Sequence, residues 1–197
     1  MRLPIYQVDA FAGRVFAGNP AAVVPLLGWL PDAVLQAIAA ENNLSETAFL
    51  VPERGEWAIR WMTPEVEVDL CGHATLASAH VVFERLDPSR KRVVFRSASG
   101  ELAVGRDRDR LVMTFPRWPA ERCPAQPALA RALGRDPAEV LRARDYLAVF
   151  ASEEEVRSLA PDIEAVRGLD AHAVIATAPG RSADFVSRYF APQAGIP

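Results

Sequence analysis

The chain has little of what sites for metals, nucleotides or anionic polymers are usually built from. It carries two cysteines, Cys71 and Cys123, in neither a CxxC pair nor a Cys/His cluster. A disulfide framework and a structural zinc site both lack their ligands, and a reduced, cytoplasmic setting is expected. Neither GxGxxG, a P-loop, GxSxG nor HExxH occurs, so dinucleotide, nucleotide, esterase and zinc-protease chemistry have no local support. Lys plus Arg number 22 against 25 Asp plus Glu, a formal charge of −3. No general positive field exists to hold phosphates or anionic lipid, so neither nucleic acid nor a membrane is expected as a partner. The longest uncharged run, 15–31, falls short of the ~20 residues of a membrane span and is broken by Pro20 and Pro25. At the start of the chain Asp9 precedes any apolar stretch of the signal-peptide kind.

What remains is the composition of a folded protein: 197 residues, half of them apolar, a quarter charged. Segment 3–11 reads as an opening strand and 16–20 as a Gly-Asn-Pro turn, with Asn19 a turn residue. An apolar strand follows over 21–26 and a helix over 33–41 that stops at Asn42 and Asn43. Runs 46–51 and 57–62 suggest a hairpin about the turn 52–56, and Glu65, Glu67 and Asp69 alternate with valines in a strand with one solvated face. From Leu70 to Phe83 no residue carries a formal charge and most are small or apolar, the pattern of a helix buried all round. Strands are expected at 92–97, 101–106 and 111–116, completing a domain 1–117 wrapped around a central helix near 72–85. A proline-rich linker is expected at 118–127. A partial second domain, 128–197, should hold helices at 128–133, 137–142 and 153–159 and strands at 146–151, 171–178 and 184–190. The class is α+β.

With no cofactor motif, acid/base work by side chains is the chemistry left. In Asp69-Leu-Cys-Gly-His-Ala-Thr75 a strand ends and the buried helix begins, so the free amides and positive end of the helix would favour a carboxylate by ~0.3–1 kcal/mol. Gly72 would let a ligand approach the backbone. Cys71 has two readings, a thiolate of lowered pKa or a small buried residue. His73 is either a donor or proton shuttle for substrate or a helix-start hydrogen-bonder, and His80 reads as a satisfied core residue. Glu46, ahead of Thr, Ala, Phe, Leu and Val, is either a partly desolvated general acid/base or a solvated strand-end acid partnering Ser45.

Four ordered blocks, Gln7-Val-Asp-Ala-Phe11, Phe16-Ala-Gly-Asn-Pro-Ala-Ala-Val23, Asn43-Leu-Ser-Glu-Thr-Ala-Phe49 and the stretch from Trp61 to Ala77, closely resemble the PhzF-like isomerase family, with weaker similarity through Ser187–Pro192 and Gly195–Pro197. The resemblance implies a diaminopimelate-epimerase-like fold, two similar domains, each a barrel-like sheet around a central helix, with the site in the cleft between them. It implies an isomerase that moves a proton between carbons of a small carboxylate-bearing substrate without metal or organic cofactor, in a homodimer. Glu46 matches the catalytic glutamate, and Gly72 and His73 match substrate-binding positions. Cys71 aligns with the first of two base cysteines in related epimerases, which leaves a racemase or epimerase as the rival reading. Asn19 matches a position near substrate. Family members continue past the Gly-Ile-Pro block with an Asp-Pro stretch and a Thr-Gly-Ser-Ala turn that this sequence does not contain. The second domain is therefore expected to be incomplete, as a portion of a longer protein or as a shortened, non-catalytic binding form.

Overall fold

The first apolar segment forms strand β1 (Tyr6–Ala10), paired antiparallel with β2 (Asn19–Pro25) so that Val8 faces Ala21. These elements come from a computed structural model of the chain that describes residues 2–14, 16–115, 117–124 and 126–196. Pro116 of the strand expected at 111–116, Ala125 of the expected linker, Pro197 of the Gly-Ile-Pro block and Val15 of the uncharged run lie outside the described residues. The chain divides into two units, Met1–Phe115 and Pro116–Pro197, each with its own buried core.

In the first unit helix α1 (Asp32–Asn42) stops where Asn43 takes a left-handed conformation, φ 50, which asparagine tolerates better than most residues. The chain enters β3 (Glu46–Glu53), parallel to β2 and antiparallel to β4 (Glu56–Met62). The hairpin turn is tighter than expected. Only Arg54 and Gly55 lie between the paired Glu53 and Glu56, both at positive φ, the backbone that matches the twist of two antiparallel strands. Strand alternation sorts the side chains of β3. Phe49 and Val51 pack with Leu35 and Ala39 of α1, while Ala48 and Leu50 join the core on the opposite face. With both faces covered, residues 46–51 are all buried.

The acidic stripe forms less strand than its alternation suggests, for β5 spans only Glu67–Val68. Thr63 is the cause: its amide and hydroxyl donate to the Val66 carbonyl, and its oxygen accepts from the amides of Glu65 and Val66, which folds the intervening residues into a turn. Glu65, Glu67 and Asp69 are exposed, as a solvated face requires.

The expected buried helix is α2 (Gly72–Val81), continued by a wider π-helical turn, Val82–Leu86. Its polar residues cost little to bury because Thr75 and Ser78 donate to the carbonyls of Cys71 and Ala74, one turn back. Strands β6 (Arg92–Ser97), β7 (Gly100–Asp107) and β8 (Arg110–Thr114) follow. Among the described residues the first unit has one sheet, ordered β1-β2-β3-β4-β6-β7-β8 with β5 on the side of β4, and it curls about α2. Trp61, Phe83, Phe95 and Leu102 are fully buried in this core; side chains of this kind stabilise by about 1.5–3 kcal/mol each.

The second unit has a smaller sheet, ordered β13-β12-β11-β10-β9. Its elements are β9 (Glu121–Arg122), α3 (Pro127–Leu133), β10 (Glu139–Arg142), β11 (Tyr146–Val149), α4 (Glu153–Arg157), α5 (Ile163–Arg167), β12 (Val174–Pro179) and β13 (Phe185–Phe190). Two expectations change here. Of the segment 137–142, expected as helix, Glu139–Arg142 is strand instead, for Gly134 in a left-handed cap ends α3 and Val140 is buried beside Ala148 of β11, a pairing that overrides the helix propensity of so short a stretch. The stretch 118–127, expected as linker, contributes β9 to the sheet. Helix α5 has no counterpart among the expectations; a five-residue helix capped by Asp162 is too short to display a period.

Candidate active site

Three side chains meet at the amino end of α2. Glu46 is the first residue of β3 and shares the alternation of Ala48 and Leu50, so its carboxylate enters the face of the sheet that α2 covers. Cys71 immediately precedes α2, and His73 is the second residue of the helix. Glu46 Oε2 lies 3.1 Å from His73 Nε2, and His73 Nδ1 lies 3.4 Å from Cys71 Sγ. The imidazole thus bridges carboxylate and thiol. Glu46 and Cys71 are each 5% exposed, and the His73 side chain 10%.

At the carboxylate, distance and alignment disagree. Oε2 and Nε2 are near enough for an ion pair, yet neither has an aligned hydrogen-bond partner. Because hydrogen bonds weaken steeply as the angle closes, the contact is best described as a close polar approach. Loose alignment of this kind is common in catalytic groups before substrate is bound.

Burial, and after it the charge of Glu46, pushes the Cys71 thiol well above its ordinary range. The amides of Ala74 and His73 pull the other way, more weakly. This overturns the reading of Cys71 as a lowered-pKa thiolate: the ~0.3–1 kcal/mol that a helix end offers an anion is outweighed by the desolvation of an almost wholly buried sulfur. A protonated thiol can donate to Nδ1 of the imidazole.

Gly72 begins α2 beneath an aromatic ring. A Cβ there would stand 2.9 Å from Cζ of Phe115, so in this structure the close approach that glycine permits is taken by a side chain. Phe115 is half-exposed, and nothing in the sequence distinguishes it from any residue at the end of a strand. Asn19 opens β2 and faces Ala10, two residues before the Ala21 that lies beside Glu46. It is a strand residue and not the turn residue expected, and it is exposed and outside the three-residue group. His80 is exposed as well, because it occupies the outward side of the last turn of α2; the core position expected for it belongs to its neighbours Ala79 and Val81.

The sequence pattern of the family described as "Phenazine biosynthesis-like protein" matches residues 8–197. Two proteins of Pseudomonas aeruginosa, both named as uncharacterized isomerases, are each 52% identical across all of this chain and 76% of their own length. A solved structure of a PhzF-family phenazine biosynthesis protein from Enterococcus faecalis superposes with a TM-score of 0.90 at 49% identity, covering 100% of this chain and 76% of that one. A hydroxyproline epimerase from Agrobacterium vitis aligns with a TM-score of 0.56 at 10% identity, over 95% of this chain and 69% of that one, which is likeness of fold alone. The expected α+β class and epimerase-like fold are those found, with the second sheet the smaller. Among the described residues no helix is long and apolar enough to cross a membrane.

Proposed function

The chain belongs to the phenazine biosynthesis-like family of isomerases, and from that premise we propose that it moves a proton between carbons of a small carboxylate-bearing substrate, with Glu46 as the general acid and base. The observation that carries the reading is Glu46 itself, a carboxylate 5% exposed at the end of a core strand, with its oxygen 3.1 Å from an imidazole nitrogen at the start of a buried helix.

Glu46 takes a proton from a carbon acidified by neighbouring unsaturation, and the electron pair delocalises toward the second carbon. The same carboxyl group, now protonated, delivers the proton there. The exchange is redox-neutral and leaves Glu46 as it began, so one side chain serves both halves without a cofactor. His73, whose Nε2 lies 3.1 Å from Glu46, positions the carboxylate. The first amides of α2, at Gly72 and His73, are the anchor for the substrate carboxylate, since amides of a first turn have no intrahelical acceptor. Asn19, on the adjoining strand, is a further candidate contact. General acid/base catalysis of this kind is worth about 10²- to 10⁴-fold.

The test is Glu46→Gln, assayed with a panel of small carboxylate-bearing compounds, unsaturated, amino and hydroxy acids among them, following deuterium uptake from D2O by NMR. Turnover and uptake should fall by about 10²- to 10⁴-fold while substrate binding persists. Wild-type rates in the variant would remove Glu46 from the mechanism. The rival, an epimerase with Cys71 as a base, predicts instead that Cys71→Ser abolishes exchange and Glu46→Gln spares it; the raised pKa of the thiol speaks against a resting base there.

A further inference from the structure

We propose that Glu46, Cys71 and His73 also form a chelating seat for one thiophilic divalent cation of the zinc class, and that such an ion occupies the site in place of substrate. One donor atom from each of the three residues lies within 4.8 Å of the other two. Carboxylate oxygen, thiolate sulfur and imidazole nitrogen are each donors that zinc takes, and three of them leave the fourth tetrahedral position open. The sulfur selects zinc or cadmium over magnesium or calcium, which take oxygen.

A second observation points to the same place. Glu46 Oε2 is a buried polar atom with no aligned partner, so its coordination would break no hydrogen bond, and the Cys71–His73 Nδ1 contact is exchanged for two bonds to the metal. The geometry is partly prepared. Ligand atoms around tetrahedral zinc are separated by about 3.5 Å, given bond lengths of about 2.0–2.3 Å, and Cys71 Sγ and His73 Nδ1 are already 3.4 Å apart. The carboxylate now faces the other ring nitrogen. Rotation of Glu46 past the ring edge completes the set. The metal–sulfur bond forms as the thiol proton leaves to buffer, with no change in the oxidation state of the metal or of sulfur. The binding claim stands on these three residues alone; only the claim of inhibition rests on the role given to Glu46 above.

The probe is cadmium chloride titrated into the full chain in thiol-free buffer, in a Cys123→Ser background that removes the second thiol, read by ultraviolet thiolate-to-metal charge transfer and by equilibrium dialysis. One equivalent should bind with a charge-transfer band. Cys71→Ser should abolish the band, and His73→Asn and Glu46→Gln should each weaken binding by at least the roughly 10- to 100-fold that disturbing even the outer partners of a metal ligand costs. Circular dichroism confirms that each variant is folded. No band at one equivalent, a band that survives Cys71→Ser, or unchanged affinity in both other variants would overturn the seat. Turnover should be lost on zinc addition and restored by EDTA. If cadmium binds as stated but Glu46→Gln keeps full turnover, the catalytic reading fails and the seat stands.

Discussion

Cys71 is where residue-level reasoning meets its limit, because the same sulfur is attracted to ionise by a helix end and prevented from doing so by burial. Burial wins, and the sign has a consequence for stability. A thiol whose folded pKa is raised contributes fully below its ordinary value of 9.0. That contribution is lost as pH rises toward the folded value, since the unfolded chain gives up its proton first. In that window stability should fall by about 1.4 kcal/mol per pH unit from this group. Urea midpoints measured from about pH 8.5 upward should therefore decline more steeply in the wild type than in Cys71→Ser; equal slopes would refute the assignment. Glu46 and His73 were legible as residue types, but which of their two readings applies depends on neighbours that no local pattern reveals.

At the scale of elements, local signals served best where the chain caps or turns itself. Asn43, Gly134 and Gly55 stand at positive φ where helix ends and a tight hairpin need them. In α4 the cap is complete: the Ser152 hydroxyl accepts from the Glu155 amide while the Glu155 carboxylate accepts from the Ser152 amide. Ser152→Ala should cost about 1 kcal/mol, within a range of about 0.5–2, seen as a lowered denaturant midpoint with unchanged slope. No shift would mean that the box is formed but idle. Where an element exists only through its partners, the sequence misled. Segment 139–142 carries helix-forming residues and becomes strand because β11 is there to pair with it. Residues 65–66 alternate like strand and become turn because Thr63 claims their amides.

For the molecule as a whole, the two units have separate cores, one centred on α2 and one on the packing of α3, α4 and α5 against the second sheet. Leu129 is fully buried in the second. Leu129→Ala should destabilise that unit by about 2–5 kcal/mol, and hydrogen exchange should speed up for the amides of β10 to β13. Protection that stays at wild-type levels there would show that Leu129 is not part of a shared core. The chain spans about three quarters of the length of the Pseudomonas aeruginosa relatives it matches.

The sequence by itself determined the class of fold, the buried central helix, most of the strands and the resemblance to a family, because hydrophobic period, capping residues and turn chemistry act between near neighbours in the chain. Tertiary structure alone decided that position 46 and positions 71–73 meet, since that requires β3 to turn its first side chain toward α2 and the sheet to curl around the helix. It also decided that the thiol among them is pushed up from its ordinary pKa, because exclusion of water belongs to the assembled core and to no residue taken singly.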